Sequence, residues 1–181
     1  MEDLRTAPRL PGAVAALATW SDWTAFDALP AAAPRRPGAY LVADATGPVY
    51  AGMAGDRRGA GLRGRMTAYT TGKAAVSGLG RAVLDRALAD EGFLVERLTA
   101  LRAGTRLTAK GWAALALREA GLWVCWSVTA DRAQAVGLEE RVLTALHALP
   151  LWNLRRPRQA EADQAEPDQI EPDQIEPDQI D

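Results

Sequence analysis

The sequence predicts a mixed α/β (α+β) domain, on the basis of three patterns along the chain. Two short apolar segments joined by a turn have the pattern of a β-hairpin. A later segment is rich in aromatic and β-branched residues, as in a buried strand. Between and after these segments, apolar residues recur at the three- and four-residue spacing of helices. The 181 residues are enough for one domain with an appendage.

Residues 1–36 are predicted to form an N-terminal helix followed by a connector. Apolar residues at 13–29 have helical spacing, and Trp20 and Trp23 lie three residues apart, on one side of that helix. A proline-rich stretch then interrupts the helical pattern. We therefore place the main domain at residues 37–158.

The main domain begins with the predicted hairpin, whose strands cover residues 38–43 and 48–53 around a turn at 44–47. The later elements are a helix at 62–71, a helix at 80–89, a helical region at 93–121 interrupted at Gly104 and Gly111, a strand at 122–128 and an amphipathic helix at 131–149. The sequence Pro-Leu-Trp-Asn at 150–153 ends the domain.

Composition favours a cytoplasmic protein with no membrane partner. Apolar residues make up 48% of the chain and charged residues 24%, and no apolar run approaches the ~20 residues of a membrane span. The first five residues are acidic where a secretory signal is basic. The chain has one cysteine, Cys125, which excludes an internal disulfide and a multi-cysteine zinc site. Its one histidine, His147, argues against a histidine-rich metal site.

The net charge of −2 is divided unevenly along the chain. From Gln159 onward there are nine acidic residues and no basic ones, so residues 1–158 hold 21 basic against 14 acidic residues, a net charge of +7. A basic domain suits a polyanionic partner, and nucleic acid is the partner that we expect.

Residues 159–181 form an acidic tail in which Glu-Pro-Asp-Gln-Ile occurs three times. A proline in every fifth position prevents a continuous helix. High charge and few apolar groups leave little to bury, so we expect a disordered tail. One interpretation is an inert or solubilising tail. The other is a tail that imitates the charge of DNA and competes for the basic face of the domain.

Three features of the domain are candidates for chemistry. Tyr40 and Tyr50 have the same parity, so a register that pairs them places both rings on one face of the hairpin. Arg65 and Tyr69 are four residues apart, so their side chains meet on the helix face that also holds the apolar stripe. Arg63 falls on the opposite side. Simple packing of the tyrosines, and an arginine that extends to solvent, are the structural alternatives.

The third feature is Glu139, which interrupts the apolar stripe of the predicted helix at 131–149. Glu140 instead lies on the polar side. A carboxylate on a core-facing stripe is unfavourable unless it is paired or bound to a cation. The alternatives are therefore a structural ion pair with a nearby arginine and a metal ligand.

Together these residues resemble the GIY-YIG nuclease superfamily. Gly-Ala-Tyr at 38–40 and Tyr-Ala-Gly at 50–52 are similar to the two halves of the signature. Residues 62–69 resemble the helix that carries an essential arginine, and residues 138–143 resemble the helix that supplies a metal-binding glutamate. Pro-Leu-Trp-Asn at 150–153 is similar to the closing Pro-x-x-Asn. Alanine replaces isoleucine in both halves, and the long segment before the third strand has no assigned role.

The resemblance implies a small three-stranded antiparallel sheet flanked by helices. It implies a divalent-metal-dependent endonuclease that hydrolyses double-stranded DNA in restriction, repair or mobile-element cleavage, with RNA also open as a substrate. One Mg²⁺ or Mn²⁺ would be held by Glu139, and Arg65 would stabilise charge on the phosphate. Tyr40 or Tyr50 would relay the proton of the attacking water, with Tyr69 orienting it. Asn153 would fix the sheet or a tyrosine.

Four basic residues are candidates for contacts with the DNA backbone: Arg57, Arg58, Lys73 and Arg81. For each of them, a solvated surface side chain is the simpler interpretation. Two rivals to the nuclease stay open at this point. One is a non-catalytic DNA-binding module on a degenerate nuclease fold. The other is a purely structural protein in which the tryptophans only fill the core.

Overall fold

The computed structural model describes residues 7–153, apart from the side chain of Arg57. The acidic tail at 159–181, with its expected disorder, and the end of the predicted domain at 158 lie outside these residues. Within 7–153 the elements are α1 (Gly12–Ala15), β1 (Thr24–Ala25), β2 (Gly38–Asp44), β3 (Gly47–Ala54), α2 (Gly61–Thr70), α3 (Gly78–Leu88), α4 (Glu91–Arg102), α5 (Ala109–Glu119), β4 (Trp123–Val128) and α6 (Arg132–Ala145). None of the helices in this part of the chain is long and apolar enough to cross a membrane.

The sheet is antiparallel and has four strands in the order β1-β4-β2-β3. The predicted hairpin is confirmed as β2 and β3, and the predicted late strand is confirmed as β4. The expected sheet of three strands is wrong by one, because the two-residue β1 adds itself to the free edge of β4.

The predicted helix at 13–29 is wrong, since only the four residues of α1 are α-helical there. The chain instead turns back along β4. The Ser21 amide donates to the Trp126 carbonyl at 2.8 Å, and the Ser21 hydroxyl accepts from the Trp126 amide at 3.1 Å. This pairing satisfies the backbone N–H and C=O groups on the exposed edge of β4, which would have no hydrogen-bond partners if the N-terminal segment formed a separate helix. The N-terminal segment therefore belongs to the same sheet as the rest of the domain.

The β2–β3 hairpin closes through a short turn held by Asp44, whose carboxylate accepts from the Thr46 amide at 2.7 Å. Its register pairs Tyr40 with Gly52, and Tyr50 with Val42. The observed register is therefore offset by two residues from one that would pair Tyr40 directly with Tyr50. Because a shift of two keeps every side chain on its face, both tyrosines still lie on the same side of the sheet.

Helices cover both faces of the sheet. On one face α6 packs over β2 and β3, with Leu138 and Val142 buried against Leu41 and Ala51. On the other face α2, α3 and α5 cover a larger apolar cluster that includes the tyrosines. The sheet therefore separates α6 from α2, and residues of these two helices can meet only beyond an edge of the sheet.

The long segment between α2 and β4 forms α3, α4 and α5. The predicted interruption at Gly104 is confirmed, since this residue has φ 88° in the loop after α4. The interruption predicted at Gly111 is wrong. Its amide donates to the Thr108 hydroxyl at 3.2 Å, which caps the first turn of α5 and places Gly111 inside the helix.

Candidate active site

The three tyrosines of the chain form one cluster on the face of the sheet covered by α2 and α3. The rings of Tyr40 and Tyr50 stack with centroids 6.3 Å apart, and the ring of Tyr69 meets Tyr40 edge-on at 6.2 Å. The hydroxyls of Tyr40 and Tyr69 share a hydrogen bond of 2.7 Å. Any change in the ionisation of tyrosine in this protein therefore reports on this cluster alone.

Glycines of both halves of the signature occupy positions where a side chain would collide with its neighbours, and Gly52 borders the tyrosine cluster. A Cβ atom on Gly52 would collide with the Tyr40 hydroxyl and stand 2.5 Å from its Cζ atom. A Cβ atom on Gly38 would collide with the Ser127 carbonyl of β4. The ring of Tyr40 thus crosses β3 at a position where only glycine fits, which gives a packing reason for the Tyr-Ala-Gly sequence.

Helix α2 carries Arg65 and Tyr69 toward the cluster. Tyr69 is buried in it, whereas Arg65 is half-buried. Arg63, two residues earlier, points to the connector and donates to the carbonyls of Ala33 at 2.7 Å and Ala31 at 2.9 Å. Arg65 makes no side-chain hydrogen bond with any residue in 7–153, and no carboxylate oxygen of these residues lies within 4.0 Å of its guanidinium. Its guanidinium is therefore available to a ligand.

Glu139 of α6 is half-buried, while its neighbour Glu140 is exposed. The structural ion pair considered above is not found in the described part of the chain, where no lysine or arginine lies within 4.0 Å of Glu139. Burial raises the pKa of Glu139, Arg65 lowers it and Glu140 raises it further, with a net rise. Arg65 is therefore near enough to lower the pKa of this carboxylate, although the two side chains are not within ion-pair distance.

The groups around Arg65 favour its charged form. Burial alone would lower the pKa of Arg65, but the neighbouring Tyr40, Tyr69, Tyr50 and Glu139 raise it. An arginine is always protonated in proteins, so these effects do not change the charge of Arg65. They indicate that the phenols and the Glu139 carboxylate lie near enough to the guanidinium to act on its pKa.

Burial raises the pKa of each of the three phenols. For Tyr40 the rise is large, and the neighbouring Tyr69 and Tyr50 add to it. For Tyr69 burial outweighs the hydrogen bond from Tyr40 and the charge of Arg65. For Tyr50 burial and Tyr69 outweigh Arg65 and the backbone of Leu79. All three hydroxyls are therefore protonated at neutral pH in the free protein.

The first turn of α3 lies against the Tyr50 hydroxyl. A Cβ atom on Gly78 would stand 2.6 Å from that oxygen, so only a residue without a side chain fits there. The Leu79 backbone lowers the pKa of Tyr50. Neither residue could be found from the sequence, because nothing in the spacing of Gly78 and Leu79 marks a contact with a strand 28 residues away. Both residues precede the helix predicted at 80–89, whereas the observed α3 begins at Gly78.

Asn153 contacts the sheet and not the tyrosines. Its amide nitrogen donates to the Ala51 carbonyl at 2.7 Å, and its amide oxygen accepts from the Ala51 amide at 3.1 Å. The Trp152 amide donates to the Val49 carbonyl at 2.6 Å. Together these bonds cover the free edge of β3 as a further strand would. Of the two expectations for Asn153, fixing the sheet is the one observed.

The candidate backbone-binding residues are spread over the surface. Arg58 and Lys73 are exposed, and Arg81 is exposed beside Asp85, with an N···O separation of 3.5 Å. The Arg57 side chain lies outside the described residues. The structure therefore brings together Tyr40, Tyr50, Tyr69, Arg65 and Glu139, and it does not gather the basic residues into that cluster.

The cluster offers a metal ion one protein carboxylate. Among residues 7–153, no group of three His, Cys, Asp or Glu side chains is arranged to hold a metal. A single carboxylate suits an ion whose remaining ligands are water and phosphate oxygens, such as Mg²⁺ or Mn²⁺, and does not suit zinc.

No protein-family model, curated protein or solved structure matches this chain. What the cluster does must therefore be argued from its own geometry and chemistry. That geometry is an arginine and a glutamate, both half-buried and free of partners in the described residues, beside three neutral phenols.

The raised phenol pKa values predict an unusual alkaline titration. A group whose pKa is higher in the folded state stabilises the fold below its unfolded value of 10 and loses that contribution as pH rises. We expect no phenolate absorbance up to pH 10. At higher pH, phenolate absorbance should appear together with unfolding, which circular dichroism monitors. Phenolate formation at pH 10 in the folded protein would contradict this packing of the cluster.

The raised pKa of Glu139 predicts that this residue destabilises the metal-free fold at neutral pH. Glu139→Gln removes the uncompensated charge, so it should raise the free energy of unfolding at pH 7 by about 1 kcal/mol or less, because solvent screens a half-exposed group. The gain should disappear below pH 4.5, where the wild-type carboxyl is also protonated. Denaturant unfolding at both pH values measures it. A destabilised variant would indicate a hidden structural partner for Glu139.

Proposed function

We propose that this protein is a divalent-metal-dependent endonuclease that hydrolyses DNA phosphodiester bonds. The observation that carries the proposal is that Arg65 and Glu139 are each half-buried, lie near enough to influence each other's pKa, and form no ion pair within residues 7–153. Groups left unpaired in this way suit an anion and a cation that arrive together. The resemblance of the sequence to GIY-YIG nucleases supports the same chemistry.

Glu139 would hold one Mg²⁺ or Mn²⁺. Burial raises the pKa of Glu139 more than Arg65 lowers it, so a bound cation would stabilise the charged carboxylate. When bound, the ion would polarise the scissile phosphate and stabilise the leaving oxygen. The protein supplies only one carboxylate, so the metal would depend on the substrate to complete its ligands.

Arg65 would bind the phosphate whose bond is broken. Its planar guanidinium can donate to two phosphate oxygens at once, and both the fork and the charge favour the more negative transition state. No residue of the described chain forms an ion pair with the guanidinium, and the Glu139 carboxylate favours its positive charge, so Arg65 would be free to donate to the phosphate.

Tyr50 would act as the base once its own hydroxyl proton had passed to solvent, with Arg65 and the bound cation favouring the phenolate, and the phenolate would then accept the proton of the attacking water. Tyr40 is fully buried and its hydroxyl is engaged with Tyr69, whereas Tyr50 is only partly buried and has no side-chain hydrogen-bond partner in the described residues. Arg65 and the Leu79 backbone both lower the pKa of Tyr50 against the effect of burial. Tyr40 and Tyr69 would then position the ring of Tyr50 and the guanidinium of Arg65.

DNA is the proposed polyanionic partner. Residues 1–158 have a net charge of +7, and the exposed Arg58 and Lys73 lie outside the cluster, where they could contact the phosphate backbone. Restriction, repair and mobile-element cleavage all need this reaction. The acidic cluster of the tail is the part of the chain that would oppose DNA binding.

A labelled DNA duplex separates the nuclease from a non-catalytic DNA-binding module. We expect fluorescence anisotropy to detect binding in the presence of a chelator, with an affinity that falls steeply as salt rises. Addition of Mn²⁺ in excess of the chelator should then convert the duplex to shorter strands. Binding without cleavage in Mg²⁺ and in Mn²⁺ would favour the non-catalytic module.

A further inference from the structure

Helix α4 and the loop after it expose a continuous row of large apolar side chains. Five of the eight large apolar residues that the described chain exposes lie here, each 40% to 55% accessible: Leu94, Val95, Leu98, Leu101 and Leu107. We call this the α4 surface. A cluster of exposed leucines of this kind marks a contact site, whereas single exposed leucines do not.

Arginines surround the α4 surface. Leu101 and Leu107 line a cavity of about 470 Å³ together with Arg97, Arg106 and Arg118. Arg97 donates to Glu96 and Glu119, but its Nε atom is buried without a partner. The partner that fits this surface therefore has apolar side chains and carboxylates at short intervals.

The chain itself contains such a segment. Residues 166–180 repeat Glu-Pro-Asp-Gln-Ile, so that Ile170, Ile175 and Ile180 each follow two carboxylates, and no basic residue lies from 159 to the end. Duplex DNA would match the arginines of the α4 surface but would leave its leucines exposed. The repeat matches both.

The end of the described chain lies beside the same helices. Trp152 lines a cavity of about 480 Å³ with Arg86 of α3, Phe93 of α4 and Ala116 of α5. The Arg86 guanidinium stands 4.1 Å from the centre of the Trp152 ring. From Asn153 to Ile170 a chain can span up to about 55 Å, which reaches any part of α4.

We propose that the Glu-Pro-Asp-Gln-Ile repeats of the tail dock on the α4 surface of the same chain. The isoleucines cover the leucines of α4, and the carboxylates face the exposed Arg106 and Arg118. The contact needs little intrinsic affinity, because a tether of this length gives an effective concentration on the order of 1 mM. The proposal does not depend on the nuclease assignment.

A spin label in the tail of the full-length protein tests the contact. Cys125 is buried, and burial raises the pKa of its thiol to about 12, so a nitroxide reagent attaches to the cysteine introduced by Gln174→Cys. We expect the nuclear magnetic resonance methyl signals of Leu94, Leu98, Leu101 and Leu107 to lose about half their intensity or more. The reason is that the tethered tail, at an effective concentration on the order of 1 mM, would hold the nitroxide close to these methyl groups. Ile170→Ser with Ile175→Ser and Ile180→Ser should restore them.

Matched variants and a mixing experiment decide between occupants. Leu98→Ser with Leu101→Ser should also restore the Leu94 and Leu107 signals, whereas Val76→Ser, at a residue 90% exposed elsewhere, should not. Undiminished signals in the labelled chain would overturn the proposal. Signal loss in an isotope-labelled chain mixed with a separate spin-labelled copy would also overturn it, in favour of a second copy. The proposal would likewise be overturned, in favour of DNA, if the leucine methyl signals kept their intensity in the spin-labelled chain but shifted on addition of duplex DNA.

Discussion

Arg65→Ala is expected to lower the rate of DNA cleavage by about 10²–10³, the usual effect of removing one donor aimed at a transition-state oxyanion. The guanidinium has no structural partner in residues 7–153, so its loss should leave the fold intact. Arg65→Lys should recover only part of the rate, because an ammonium group cannot donate to two phosphate oxygens in a plane. Single-turnover cleavage of a labelled duplex in Mn²⁺ measures both variants.

Arg63→Ala is the matched control, two residues earlier on the same helix. Its guanidinium donates to the carbonyls of Ala31 and Ala33, so we expect a loss of stability of about 1–3 kcal/mol and a cleavage rate near that of the wild type. Equal losses of rate in the Arg63 and Arg65 variants would show that α2 contributes only structure, and would contradict the assignment of Arg65.

Glu139→Gln is expected to abolish metal-dependent cleavage, by at least about 10²–10³ in rate, and to leave DNA affinity within a few-fold of the wild type. The amide keeps the size of the side chain but loses the charge that would hold the ion. Cleavage and fluorescence anisotropy on the same labelled duplex measure the two effects. Combined with the predicted gain in stability, the variant would trade activity for a more stable fold, as substitutions at functional sites often do.

Glu140→Gln is the control for Glu139. The two residues are adjacent on α6, but Glu140 is exposed whereas Glu139 is half-buried. Its variant should cleave at close to the wild-type rate and should bind DNA slightly more tightly, since one surface negative charge is lost. Unchanged cleavage by Glu139→Gln, or an equal loss in both variants, would exclude Glu139 as the metal ligand.

Much of the sheet could be predicted from local patterns. The alternation of β2 and β3 fixes which residues share a face, and this parity survives the two-residue offset in register. The fourth strand could not be predicted in this way. Residues 24–25 become a strand because β4 offers an unpaired edge, and that edge exists only once the other strands have assembled.

In the candidate site, too, local periodicity predicts some features, whereas contacts between distant segments could not be predicted. Helical spacing separates Arg65 from Arg63 and Glu139 from Glu140, because each pair lies on one helix and the apolar stripe indicates the inner face. The contact of Gly78 with the Tyr50 hydroxyl joins a helix to a distant strand, and no local period records it. The same reason hides the hydrogen bonds by which Asn153 covers the edge of β3.

The central claim is that one cluster of three phenols, Arg65 and Glu139 hydrolyses DNA with a divalent ion. Its most direct test is incubation of supercoiled plasmid with the purified full-length protein in Mg²⁺, in Mn²⁺ and in excess chelator, beside Glu139→Gln prepared in the same way. The account predicts nicked and linear plasmid only for the wild type with a metal ion. Plasmid that stays supercoiled with the wild type in both ions, or equal nicking by the two proteins, would contradict it.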